Sequence, residues 1–305
     1  EETIGLFQKA YEEDIIKTRM YHLLYNTYGK NETIQWIDKF ISTGIRGGLG
    51  NEHFKLGHVK ILIDGSTSGP SCSTKLPYCH DPNLKGIQLY TQEEADEVLI
   101  KAHNAGYNVT AHAVGDAAVE VVVTAIEKAI AQNPRPCRHR IEHCGLTDEN
   151  LLNRIAAAGI VPISNPGFFN ENAEAYVKYY GDRVNSMFPL KSYRDKGIIT
   201  ALGSDAPVIE ADPMIGIYSA MVRADKRSGV VAGEDQKVGL LDAIRMYTYN
   251  GAYASLEEDI KGSIEPGKLA DMAVLSEDIL STPTDRIKSI KVDMTILDGK
   301  IVFER

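Results

Sequence analysis

Four side chains at the ends of apolar runs are of types that can do chemistry together: Lys60 in VKILIDGS, His112 in VTAHAVGD, His143 in RIEHCG and Asp205 in TALGSDAP. Neutral imidazole and carboxylate are ligands for divalent cations such as Zn²⁺. The set therefore points to water activated by a bound metal. The four positions are separated by 52, 31 and 62 residues, and one strand with its helix and loops takes roughly 30 residues in a (β/α)₈ barrel. One such unit separates the two histidines and two separate His143 from Asp205. Barrel enzymes carry their reactive groups at the C-terminal ends of strands, where loops enclose a cavity above a packed core.

Each residue has a plainer reading. A lone strand-end histidine is more often structural, and it is the pair joined by Asp205 that favours a metal. Asp205 follows small residues on its strand, Ala201 and Gly203, which leave room for an ion and substrate. There it would help hold metal and pass a proton from the attacking water to the leaving amine. It could instead cap the next helix, but Asp212 before Pro213 is the better cap. Lys60, flanked by Val and Ile, is costly to bury unpaired. Either Asp64 on the same face pairs with it, or CO₂ carbamylates it into an anionic metal ligand, and the sequence leaves both open. Asp64, Ser66 and Asn165 are expected to border the substrate. His58 reads as a core group, Cys79-His80-Asp81 as a loop, and Cys144 as packing on the far side of an extended strand.

The elements that must position these residues alternate. An amphipathic helix is expected over 4–17, a strand over 18–25, a turn at Gly29-Lys30-Asn31 and a helix over 32–41. Strands follow near 58–63, 108–113, 138–143, 160–165 and 198–202. Helices lie between them at 91–106, 116–131, 147–158, 170–180 and 189–196, then at 213–224 and 239–249. Thr91 with Glu94 makes a capping-box pattern. Repeated β-then-α order implies parallel strands with crossover helices. Only six barrel strands can be counted where a closed barrel needs eight, so the missing pair is expected before residue 1. From about Gly262, short apolar runs separated by Pro-Gly and Asp-Gly turns predict a small β unit. The domain expectation is 1–261 for the barrel and 262–305 for a β-sandwich portion.

Composition narrows the partners. At 305 residues with 43% apolar content, the chain can bury a large core. Its 33 basic and 42 acidic residues give −9 with no basic stripe, which argues against nucleic acid and anionic membrane and leaves small molecules as ligands. No run approaches the ~18 apolar residues of a membrane span. Four cysteines without a Cys-x-x-Cys pair fit reduced thiols in the cytoplasm.

On VKILIDGSTSG, HAVGDAA, RIEHCG, GSDAPV, LLDAIRMYTYNGA and GSIEPGKLADMAVL, the chain from about Arg19 to Arg305 resembles amidohydrolase family 3 of the amidohydrolase superfamily, a group that includes N-substituted formamide deformylases and exoenzyme regulatory proteins. The resemblance implies a TIM-like (β/α)₈ barrel and hydrolysis of non-peptide C–N bonds. It implies one or two divalent ions, zinc first, with His112, His143 and Asp205 as ligands on the fifth, sixth and eighth strands and a carboxylated Lys60 on the fourth. Family enzymes add a His-x-His pair on the first strand, and none of the eight histidines here is so spaced. On that basis the chain by itself is expected to be a weak or inactive portion of the enzyme whose strand edges are covered by self-association. A non-catalytic regulatory or ligand-binding barrel is the other reading.

Overall fold

The computed structural model describes residues 2–25 and 30–305. Six strands form one parallel sheet in chain order: β1 (Met20–Leu24), β2 (Phe54–Leu62), β3 (Val109–Ala113), β4 (Arg140–His143), β5 (Val161–Ser164) and β6 (Ala201–Leu202). Spatial order equals sequence order because each crossover helix returns the chain beside the strand it has just left. The principal helices are α1 (Glu2–Glu12), α2 (Lys30–Ser42), α3 (Gln92–Asn104), α4 (Asp116–Gln132), α5 (Glu149–Ala158), α6 (Gly167–Tyr180), α7 (Leu190–Asp195), α8 (Pro213–Val222), α9 (Leu240–Tyr247) and α10 (Tyr249–Ala254). This is a curled TIM-type α/β architecture, with β1 and β6 each hydrogen-bonded on one side only among the described residues.

Period-two alternation decides which side chains reach the concave side. On β2, Val59 and Ile61 are buried with the helices, while Lys60 and Leu62 are half-buried on the opposite face. Register carries that face across the sheet: Lys60 lies beside Thr110, Leu62 beside His112, and His112 beside Glu142. The convex face is sealed by helices whose apolar stripes match it. Val119, Val122, Ala125 and Ile126 of α4 are fully buried against it. The ends of the helices follow their chemistry. Thr91 and Glu94 form the full capping box, Asp148 and Asp212 cap α5 and α8 through their carboxylates, and Gly159 closes α5 at φ 63°.

Several expected boundaries are corrected. The first helix stops at Glu12, where Asp14 takes a left-handed conformation (φ 57°). Gly29 lies outside the described residues, and Lys30 and Asn31 open α2 instead of forming a turn. The helix expected over 239–249 is two helices, broken at Thr248, whose hydroxyl bonds back to the Ile244 carbonyl at 2.8 Å; such back-bonding competes with the regular ladder. The last parallel strand is only two residues long.

A separate antiparallel sheet is built from β7 (Met272–Leu275), β8 (Val292–Leu297) and β9 (Lys300–Glu304). Its hairpin turns at Asp298-Gly299, both at positive φ (52° and 74°), as a two-residue type I′ connection requires. Arg19, just before β1, grips the Asp271 carboxylate at its entrance with two bonds of 2.5 and 2.8 Å. No helix among the described residues is long and apolar enough to cross a membrane, and all four cysteines are free thiols. Thr91→Ala should remove the cap of α3 and lower stability by about 1 kcal/mol, read as a reduced urea midpoint with an unchanged slope.

Candidate metal centre

His112 and His143 end adjacent strands, and their rings meet edge to face with centroids 4.5 Å apart. Regular alternation would put His143 on the opposite side of β4 from Glu142, which shares its face with His112. The backbone at His143 is left-handed instead (φ 71°), as it is at Cys144 (φ 46°). Strand alternation therefore ends at His143, and its ring joins His112. Cys144 is buried by this turn, with its carbonyl accepting from Tyr193 Oη at 3.0 Å, so packing is its role but an extended strand is not the reason. Asp205 also stands at positive φ (58°). Non-glycine residues in this region store strain that surrounding contacts must hold.

His112 Nε2 lies 3.0 Å from the Gly65 carbonyl. A carbonyl only accepts, so Nε2 carries the proton and Nδ1 keeps its lone pair. His143 uses its other nitrogen: Nδ1 is 2.7 Å from Asn165 Oδ1. Burial is the main force pushing both imidazoles below their ordinary range, His112 to about 4 with the neighbouring His143 adding to it. Both imidazoles are therefore neutral at neutral pH. Asp205 moves the other way: burial raises its carboxyl, opposed by Lys60 and His112. With Ser66, His112 and His143, Asp205 borders a cavity of about 210 Å³ whose other walls include Val114, Phe168, Tyr176 and Val208. Phe168 lies nearly parallel to the His143 ring (26°, 6.2 Å), and Tyr176 is fixed by a 3.0 Å bond to Thr67 Oγ1.

Two residues expected to border the substrate lie outside the lining of this cavity. Asp64 is buried and does not line the cavity. Its carboxylate accepts from the backbone N–H groups of Ser73 (2.9 Å), Val114 (3.0 Å) and Gly115 (2.8 Å), and lies 3.5 Å from His112 Nε2. Burial pushes its acid up to about 7 against the pull of those three donors. The bonds join the loops after β2 and β3 so closely that a Cβ on Gly115 would stand 1.8 Å from the Ser73 carbonyl oxygen. Asn165 is also withdrawn from the cavity, held between His143 and the Gly203 carbonyl at 2.9 Å. With Asp64 so engaged, Lys60 does not pair with it. Lys60 sits 5.7 Å from the Tyr25 ring, and its charge acts on Glu142, His143, Asp205 and His112.

Residue patterns had not singled out the polar group beneath the histidines. Glu142 is gripped by Arg140 at 2.6 and 2.9 Å and by Thr110 at 2.8 Å. Burial raises its acid, but Arg140, Lys60 and Thr110 together hold it down to about 2. Two opposite charges at i and i+2 on a buried strand were the available signal, since they must share one face.

The amidohydrolase family model matches residues 9–303. The chain belongs to the amidohydrolase family. YtcJ of Bacillus subtilis (strain 168), named as an amidohydrolase, is 32% identical over 260 residues, covering 84% of this chain and 49% of that protein. The N-substituted formamide deformylase of Arthrobacter pascens is 28% identical over 281 residues, covering 91% and 49%. An uncharacterized metal-dependent hydrolase from Pyrococcus horikoshii OT3 superposes with a TM-score of 0.78 at 26% identity, covering 93% of this chain and 56% of that one. The chain thus spans about half the length of the curated amidohydrolase relatives it matches.

Away from the cavity, donor atoms of His103, Cys137 and His139 lie within 4.8 Å of one another. Proton accounting argues against a cation there. His139 Nδ1 accepts from the Val109 N–H at 3.0 Å, so its Nε2 carries the proton and donates to His103 Nδ1 at 2.9 Å. His103 Nε2 then donates to the Asn133 carbonyl at 2.8 Å. A metal between the rings would have to strip His139 to imidazolate. The relay belongs to the N-terminal end of the strands, where barrel residues serve stability.

Burial lowers His58 and His139 to about 3 and His112 to about 4, whereas an unfolded histidine titrates near 6.5. Below that pH the unfolded chain binds the extra protons, so stability is lost as pH falls from about 6.5 towards 4. Asp64, with its acid raised to about 7, gains stability over part of the same range. Three histidines against one carboxyl predict a net loss on the order of 2 kcal/mol between about pH 7 and pH 5.5. Urea midpoints at the two pH values measure it, and equal midpoints would contradict the assignment.

Proposed function

We propose that this chain carries a large part of the active site of a metal-dependent hydrolase acting on carbon–nitrogen bonds other than peptide bonds, such as those of amides and cyclic amides. One observation carries the reading. Two desolvated, neutral imidazoles touch each other at adjacent strand ends, each tied to protein through one nitrogen, beside a cavity they share with Asp205. The A. pascens relative is named for amide hydrolysis and the P. horikoshii neighbour for metal dependence, and both support it.

The donor set suits zinc. His112 has a bare Nδ1, His143 can offer Nε2, and Asp205 adds a carboxylate; Zn²⁺ takes such nitrogen and oxygen donors. Lys60, which acts electrostatically on all three, would add a fourth donor as its carbamate. A divalent ion there would polarise the scissile carbonyl and lower the pKa of water to about 7. Asp205 then takes the proton from the attacking water and returns it to the nitrogen that leaves, a task helped by a carboxyl raised towards the working pH. Ser66 offers its hydroxyl to the substrate, and Phe168 and Val208 receive its apolar part. Four free thiols fit a reducing compartment such as the cytoplasm, and the single-sided pairing of β1 and β6 fits self-association.

Metal analysis and hydrolysis of an N-alkylformamide by the protein carrying this chain test the proposal. Asp205→Asn should lower kcat by about 10²- to 10⁴-fold while the protein stays folded, and His112→Ala or His143→Ala should release zinc. Undiminished turnover in Asp205→Asn, or zinc retained by both histidine variants, would overturn it.

A further inference from the structure

Asn165 stands where two of the site's strands meet. Its amide spans from His143 Nδ1 on one side (2.7 Å) to the Gly203 carbonyl on the other (2.9 Å), and the residue is 3% exposed, so both bonds are made away from bulk solvent. Gly203 lies two residues before Asp205. Its own N–H donates to the Ser164 carbonyl at 3.0 Å, one step beyond the last β5–β6 pair, Ser164 with Leu202. The Asn165 side chain therefore adds one more bond to a ladder whose final strand has only two residues.

Chemistry fixes the direction of both bonds. The Gly203 carbonyl can only accept, so the NH₂ end of the amide must face it and Oδ1 must face His143. An amide oxygen has no hydrogen to give, so His143 Nδ1 must carry the ring's proton. Nε2 is left with its lone pair. A carbonyl at the end of a neighbouring strand thus dictates, through one amide, which nitrogen of His143 can act as a ligand.

We propose that Asn165 is a positioning residue that couples two donors of the site: it selects the Nδ1–H tautomer of His143, and it anchors the strand end that delivers Asp205. The consequence for zinc rests on the function proposed above, whereas the tautomer does not. Two substitutions separate the two halves. Asn165→Ala removes both bonds. Asn165→Asp keeps an acceptor for His143 but sets an oxygen against the Gly203 carbonyl, so it preserves the tautomer and breaks the strand tie.

Long-range ¹H–¹⁵N spectra of the metal-free protein, with His143 assigned through its loss in a His143→Gln variant, read the tautomer directly. The wild type and Asn165→Asp should show a protonated Nδ1 and a bare Nε2, and Asn165→Ala should lose that preference. Zinc titration against a chromophoric chelator should show affinity about ten- to a hundredfold lower in Asn165→Ala, the range expected when a partner of a metal-binding histidine is removed. The Gly203 amide signal should shift in both variants. A wild-type ring protonated at Nε2, or an alanine variant that keeps tautomer and zinc affinity together, would overturn the inference. Should Asn165→Ala fail to fold, the wild-type tautomer and the aspartate variant decide alone. A wild type with the expected tautomer that binds no zinc would uphold the positioning role and count against the hydrolase reading instead.

Discussion

The site depends on one buried carboxylate that never reaches the cavity. Asp64 collects three backbone N–H groups from two loops, and those loops are the ones that flank His112. Without such an acceptor, three buried donors would be unsatisfied, each costing about 1–3 kcal/mol. The Gly65 carbonyl that orients the His112 ring follows Asp64 directly in the chain. A tightly bonded turn therefore fixes both where the imidazole sits and which of its nitrogens is free. Gly115 is required in this turn for close approach, since a side chain would collide with the Ser73 carbonyl.

Strain and support occur together around the cavity. His143 and Asp205 both take left-handed backbone conformations, which cost free energy in residues with a Cβ. The deviations have a visible geometric result: His143 leaves its strand's alternation and packs on His112, and Asp205 enters the wall of the same cavity. The conformations are sustained by bonds that do not depend on a ligand, through Asn165 to His143 and to Gly203. Beneath them, Glu142 Oε1 accepts from both Arg140 and Thr110, so the buried charge there is paired within the sheet.

Much of this was legible in the residues because it rests on periodicity. The βα alternation, the parallel sheet, the capping box at Thr91 and the Asp212 cap follow from spacing and from local hydrogen bonding, which sequence carries directly. So does the convergence of His112, His143 and Asp205 on one end of the sheet. What could not be read was the partner of each polar side chain. Asp64 and Asn165 are of residue types that bind substrates, and only the fold reveals that backbone N–H groups engage Asp64 while the His143 ring and the Gly203 carbonyl engage Asn165. The Thr248 break lies in a sequence with good helical pattern, because a side-chain bond to the backbone leaves no periodic trace. Positive φ at His143 was equally hidden, since histidine does not advertise that conformation as glycine does.

Because the six parallel strands follow one another in space as in sequence, every unit docks on the one synthesised just before it. Four polar side chains are spread along that series: Lys60 from β2, the imidazoles of His112 and His143 from β3 and β4, and Asp205 just after β6, the shortest of the six. Such an arrangement grades robustness along the chain. Main-chain pairing thins along the series, from four registered pairs between β1 and β2 to two between β5 and β6, the strand after which Asp205 stands. Opening of β6 alone would thus carry Asp205 out of the cavity wall while Lys60 and the two imidazoles kept their places on the longer-paired strands.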